Sequence, residues 1–227
     1  MKMTKVSIFL AFWALFALSG PLRADTVFYS DRFAWESNVS DIVAETYESY
    51  PWSGYEVIAT ESSGVTLGNI TYSVKELLFP NDLHPTNPYA RLIGIDSSGL
   101  PANLADAAYL SGQYIHWHSE GWFSELTITL PAATKAISFD YGSYWGINLY
   151  FNVTLNNGDS TWIWGDHDYS FFGAISDTEF SSLSVMTIIC PLIDNLATAN
   201  PIPEPTSLLL LGTGLAVIGL AAWRRRK

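Results

Sequence analysis

Thiols and positive charge are what this chain of 227 residues has least of. Cys190 is its one cysteine, so no disulfide can form within it and no Cys framework sets the fold. Of 11 Lys and Arg, only Arg32, Lys75, Arg91 and Lys135 fall between Asp25 and Glu204, the stretch that holds all 22 acidic residues. With four positive against 22 negative groups, that stretch carries a net −18. Such a surface repels phosphate backbones, which excludes nucleic acid as a partner. No GxSxG nucleophile motif, no HExxH metal motif and no complete EF-hand loop occurs. Helices between the apolar runs are missing as well, so no parallel sheet can be built. Neither internal repeats nor long low-complexity tracts are visible. Aromatic residues, by contrast, make up 15% of the chain, and seven of the nine Trp lie in the acidic stretch. That composition excludes disorder.

The two ends differ from the middle. Lys2 and Lys5 precede an uncharged run from Val6 to Leu18, and Leu22-Arg23-Ala24 offers a small residue for cleavage. Residues 1–24 therefore read as a secretory signal peptide. At the other end Pro203-Glu204-Pro205 is followed by an apolar segment and then by Arg224-Arg225-Arg226-Lys227. The prolines break any preceding structure. Leu208 to Trp223 gives about 24 Å of helix, slightly less than a bilayer core of about 30 Å. Thr206, Ser207 and snorkelling arginines extend it, giving a membrane helix over 206–223 with a basic tail at 224–227. The basic cluster stays cytoplasmic, so the domain between the two segments, residues 25–200, faces outward.

This tail, residues 201–227, resembles the PEP-CTERM sorting signal of exopolysaccharide-producing Gram-negative bacteria. The resemblance implies recognition by an exosortase, a membrane protease that cuts near the motif and releases the mature protein. Pro203, Glu204 and Pro205 would carry recognition, and Arg224, Arg225 and Arg226 would hold the segment in the membrane. It also implies partners in the export machinery. It implies nothing direct about the chemistry of residues 25–200.

The middle consists of short β-favouring runs separated by Gly, Asn, Asp, Ser and Pro, the spacing of an all-β antiparallel sandwich. The clearest unit is a hairpin. Asn148, Tyr150, Asn152 and Thr154 alternate with Leu149, Phe151, Val153 and Leu155, a turn follows at Asn156-Asn157-Gly158-Asp159, and Ser160 to Trp164 returns. Further strands are expected at Thr26–Tyr29, Val43–Tyr47, Gly64–Val74, Arg91–Ile95, Ala107–Ser111, Tyr114–His118, Glu125–Leu130, Ala136–Tyr141, Phe171–Ile175 and Leu183–Cys190. One short helix is expected at Asp31–Val39, capped by Ser30 or Asp31. The proline-rich stretch from Leu77 to Asp106 reads as long loops. The blocks around Phe33-Ala34-Trp35, Glu45-Thr46-Tyr47-Glu48, FFGAISDTEFSSLSV and Ile193-Asp194-Asn195-Leu196 resemble the jelly-roll sandwiches joined to such tails, which are distantly similar to carbohydrate-binding modules.

Candidate chemistry is sparse. Cys190, at the end of an apolar run, reads as a small buried residue. His116 and His118 share one strand face, and with His167 they offer ligands for a transition metal. The jelly-roll resemblance implies a structural calcium between Glu48, or Glu45, and Asp194. No acidic pair stands out as a glycosidase dyad, although Glu45, Glu48, Glu120 and Glu125 supply carboxylates. Aromatic rings stack on the apolar faces of sugars while Asp or Asn bonds their hydroxyls. Tyr144 and Trp145, after a Gly-Ser turn, are the preferred exposed pair, with Trp117, His116 and His118 beside them. Trp162 and Trp164 share a strand face, but Trp in a sandwich is usually core, so Trp162 ranks below Tyr144 and Trp145 as an exposed candidate. Three Asn-X-Ser/Thr triplets, at Asn38, Asn69 and Asn152, are chance matches in a bacterial chain. The sequence thus describes an exported, surface-directed protein that is transiently anchored in the inner membrane. Its expected role is non-enzymatic, as a component or binder of exopolysaccharide. A glycan-active hydrolase and a ligand-free matrix protein are the alternatives.

Overall fold

The computed structural model describes residues 25–52, 55–60, 63–77, 90–96, 113–118, 123–143, 149–165, 170–188 and 191–202. The elements are β1 (Thr26–Tyr29), α1 (Arg32–Glu36), β2 (Val39–Glu45), β3 (Tyr55–Thr60), β4 (Val65–Leu67), β5 (Ile70–Glu76), β6 (Arg91–Asp96), β7 (Gln113–His118), β8 (Phe123–Ser143), β9 (Leu149–Leu155), β10 (Ser160–Gly165), β11 (Ser170–Ile188) and β12 (Pro191–Pro201). Every strand pair among them is antiparallel.

Two long strands make the sandwich. The first half of β8 pairs with β5 and with the second half of β11, which in turn pairs with β9. Together with β10 and β4 this forms one layer, in the order β4-β5-β8-β11-β9-β10. The second half of β8 pairs with β12 and with the first half of β11. Those strands belong to the other layer, which continues through β7, β6 and β3 and carries β1 and β2 at its margins. Both long strands turn the corner at one end, where the β11 register shifts between Ile175 and Ser182. A bulge is the local device that lets a strand change sheets.

Alternation fills the space between the layers. Leu126, Ile128 and Leu130 of β8 face inward from the first layer, and Ile137, Phe139 and Tyr141 do so from the second. Phe139 lies 4.7 Å from Phe172, and Tyr141 meets Phe151 edge-on at 4.9 Å. The helix α1 covers the outer side of the second layer. Asp31 caps it by accepting from the Ala34 N–H at 2.6 Å. Trp35 is then buried against Ala136, Ala197, Ala199 and Val39, a patch kept flat by small residues.

The structure corrects several boundaries. The helix is five residues, not nine, with Asp31 rather than Ser30 as its cap. Glu125–Leu130 and Ala136–Tyr141 are two halves of β8, and Phe171–Ile175 with the run from Leu183 are two halves of β11. Gly64–Val74 is a hairpin, turned by Gly68 at φ +58. The strand placed at Val43–Tyr47 begins earlier and ends at Glu45, because Tyr47 adopts φ +60. β3 and β12 were not anticipated. β12 opens and closes on proline and is bent at Asn195, φ +49, so it reads as a turn although it lies between β8 and β7. The strand expected at Ala107–Ser111, the signal peptide expected at residues 1–24, and the sorting motif with the membrane helix expected after it lie outside the described residues. Among the described residues no helix is long and apolar enough to cross a membrane.

Candidate functional site

The outer face of the first layer is built by strand parity. In β9 the side chains of Leu149, Phe151, Val153 and Leu155 are buried, which turns Tyr150, Asn152 and Thr154 outward. A three-residue loop with Gly158 at φ +98 closes the hairpin, its Leu155 N–H bonded to Asp159 O at 2.8 Å. This sets Trp164 opposite Tyr150, Trp162 opposite Asn152 and Ser160 opposite Thr154. Trp162 is 62% exposed, Tyr150 56% and Trp164 45%. Tyr150 and Trp164 meet edge to face with centroids 4.1 Å apart.

The same parity carries across the layer. Opposite Asn152 stands Met186 of β11, then Glu125 of β8, then Lys75 of β5. The adjacent row runs Thr154, Ser184, Thr127 and Ser73, and the next Ser182, Thr129, Thr71 and Thr66. Hydroxyls therefore carpet the face beside the aromatic edge. Asn152 accepts from the Thr154 hydroxyl at 3.1 Å, and Thr66 and Thr71 share a bond of 3.0 Å. Among the described residues of this face the charges are Lys75 and Glu125, which pair at 3.1 Å. A hydroxyl-rich surface with an edge of exposed rings offers stacking and hydrogen bonds to an uncharged polyol.

The second layer behaves differently. β7 is buried on both sides. Trp117, fully buried, packs in the core with Leu92 and Ile115, while His116, 2% exposed, shares the other side with Ile93 and Leu192. His116 Nδ1 is bonded to Pro191 O at 2.9 Å. Trp117 and His116 are thus corrected from a sugar surface to the interior. His118 ends the strand in register with Arg91. Tyr144, Trp145, His167, Glu120 and Cys190 lie outside the described residues. Trp162, ranked below Tyr144 and Trp145 as an exposed candidate, stands in water together with Trp164. The polar positions of β9 held the signal: a ring registered opposite Asn152 or Tyr150 has to face the same way they do.

The carboxylates proposed for calcium each hold a protein donor. Glu48 accepts from the Gln113 N–H at 3.0 Å, and Glu45 from the Tyr47 N–H at 3.0 Å. Asp194, buried, accepts from the Asn195 N–H and from the Asn195 side chain at 3.3 Å. Among the described residues no three His, Cys, Asp or Glu side chains gather to hold a metal ion. Nearby, Tyr47 and Tyr72 share a hydroxyl bond of 2.8 Å in the core, and burial raises the pKa of both.

Comparison with known proteins gives two findings. Residues 201–227 match the model of the PEP-CTERM protein-sorting motif. The chain is therefore exported and carries the signal that an exosortase processes. No curated protein sequence matches the chain. Among solved structures it is similar to a family 11 carbohydrate-binding module from a cellulosomal cellulase of Clostridium thermocellum, at 15% identity and a TM-score of 0.34, over 66% of this chain and 96% of that one. The family 11 module of that organism in complex with a β-1,3-1,4-mixed-linked tetrasaccharide gives 14% identity and a TM-score of 0.33, over 66% and 98%. A Ruminococcus gnavus fucosidase in complex with fucose gives 16% identity and a TM-score of 0.27, over 50% of this chain and 26% of that one.

Proposed function

We propose that the protein is a non-enzymatic binder of the extracellular polysaccharide matrix, engaging an uncharged stretch of glycan on the outer face of its first layer. One observation carries the reading: Trp162, Trp164 and Tyr150 stand exposed at the edge of a neutral carpet of Ser, Thr and Asn side chains. Leaving large rings in water forgoes about 1.5–3 kcal/mol of burial each. A stacked sugar recovers part of that, while the neighbouring hydroxyls and Asn152 orient it. Strands about 4.8 Å apart repeat these groups along a line perpendicular to the chain direction, which suits an extended polymer. Lys75 and Glu125 pair on this face, and the net −18 of the surrounding domain disfavours acidic polymers. Sorting by an exosortase delivers this face to the cell surface or matrix.

Affinity electrophoresis of the domain through the exopolysaccharide of its host tests the reading. Retardation should appear, and should fall at least tenfold in apparent affinity in Trp162→Ala and Trp164→Ala. Retardation that survives both substitutions would move the site elsewhere. Absence of retardation would favour a ligand-free structural role. Release of soluble sugar from the polymer would instead establish the hydrolase.

A further inference from the structure

Both chain ends leave the sandwich at the same end. At the C-terminus β12 stays paired with β2 through Pro201 and Val39, and the Ile202 N–H then donates to Asn38 O at 2.8 Å. This is the corner end, because Thr134 in the turn of β8 donates to Ala199 O at 3.2 Å. At the N-terminus Thr26 is registered with Ser176 in the corner of β11, and its hydroxyl donates to Asp159 of the β9–β10 turn. That turn sits on the same corner, with Asn157 donating to Ser176 at 3.0 Å and Asn156 accepting from the Ser181 N–H at 3.0 Å. The aromatic edge lies at the other end. Tyr150 and Trp164 stand at the start of β9 and the end of β10, five residues, or roughly 17 Å, from Leu155.

The tether is shorter than the domain is tall. Three residues, 203–205, separate Ile202 from the apolar segment, and fully extended they span about 10 Å. From Pro191 to Ala199 the second layer runs roughly 26 Å along β12. A domain fixed at Asn38 and Ile202 by a strand inside its sheet cannot invert on so short a leash.

We infer that the uncleaved protein stands upright on the outer side of the membrane, its corner end against the bilayer and its aromatic edge pointing away. Glycan capture then precedes release: the anchored precursor already presents Trp162 and Trp164 to the matrix. The orientation follows from the chain's exit points and the sorting motif, whereas early capture rests on the glycan reading above.

The experiment uses the full chain in vesicles of phosphatidylethanolamine and phosphatidylglycerol. With Cys190→Ser as background, single dyes are placed at Ser37→Cys, near the exit, and at Lys75→Cys, toward the far end of the first layer. An acceptor is carried on lipid headgroups. Transfer from position 37 should exceed transfer from position 75 at least threefold. A long Gly-Ser insertion between Ile202 and Pro203 should equalise the two. Equal or reversed transfer without the insertion overturns the upright orientation. Vesicles carrying the unlabelled full chain, mixed with host exopolysaccharide, should sediment with it, and Trp162→Ala with Trp164→Ala should abolish that. Asymmetric transfer with no glycan on the vesicles, and none on the released domain, would sink the glycan reading and leave the orientation standing. Glycan bound only by the released domain would overturn early capture alone.

Discussion

Trp35 lies so close over Gly173 that a Cβ built on the glycine would fall 2.5 Å from its Cδ1. The contact fixes α1 on the sheet, with the indole N–H donating to Ala174 O at 3.4 Å. Because the ring is buried and walled by Ala136, Ala197 and Ala199, it cannot swing aside. Gly173→Ala should therefore destabilise the domain by about 1–3 kcal/mol, the usual effect of overpacking. Gly158→Ala meets no atom within 4 Å and carries only the strain of φ +98, about 1 kcal/mol. Urea midpoints at constant m-value would rank them, and a Gly173→Ala midpoint equal to wild type would refute the packing argument.

The same pair shows what could be read from residues alone. The helix around Trp35 and its Asp31 cap were visible, because a cap and an apolar ring make a local pattern. Its partner Gly173 was not, since the contact spans 138 positions of sequence. The β9–β10 hairpin was legible through its alternation and its Asn-Gly turn. The sidedness of Trp162 needed one more step, the register across that turn, and composition alone had favoured burial. β12 was hidden for a physical reason: a bulge at Asn195 and prolines at both ends erase the period-two pattern of a strand that pairing nonetheless holds in the sheet. His116 and Trp117 misled in the opposite sense, because a strand covered on both sides has no face left for ligand.

Tyr47 and Tyr72 make the fold sensitive to alkali. Burial is the main cause that raises the pKa of each, with their mutual contact adding to it for Tyr47. Burial likewise pushes Tyr141 up to about 12. In the unfolded chain all three titrate near 10. Between about pH 10 and 12 the unfolded state therefore binds fewer protons than the folded one, and stability falls as pH rises. Below about pH 9 these groups contribute no slope. Thermal melts from pH 8 to 11.5 should show a plateau and then a steep loss, made shallower by Tyr47→Phe. A flat profile to pH 11.5 would contradict it.

Calcium, implied only by the jelly-roll resemblance, finds no cluster of three His, Cys, Asp or Glu ligands among the described residues. We expect EDTA to shift the melting temperature by less than about 2 °C, equivalent to about 0.5–1 kcal/mol at most for a domain of this size. A larger shift, restored by millimolar Ca²⁺ and absent in Asp194→Asn, would assign a structural ion to these residues.

The sorting signal begins where the ladder has to end. β12 still pairs at Pro201, and Ile202 still donates to Asn38 O. Pro203 and Pro205 have no N–H to offer a sheet, and their fixed φ disfavours continuing a strand. The Pro-Glu-Pro motif thus follows directly on Ile202, the last of the described residues. Replacing Pro203 and Pro205 with Ala returns two donors and removes the fixed φ. In the native host this double variant should accumulate at full length in the membrane fraction, while its folded domain keeps the wild-type melting temperature. On the sorting reading the basic tail would hold the segment's cytoplasmic end, so replacing Arg224, Arg225 and Arg226 with Ala should instead weaken retention of the uncleaved chain. Unchanged release of the proline variant, read by intact mass of the secreted protein, would show that the exosortase does not read these residues.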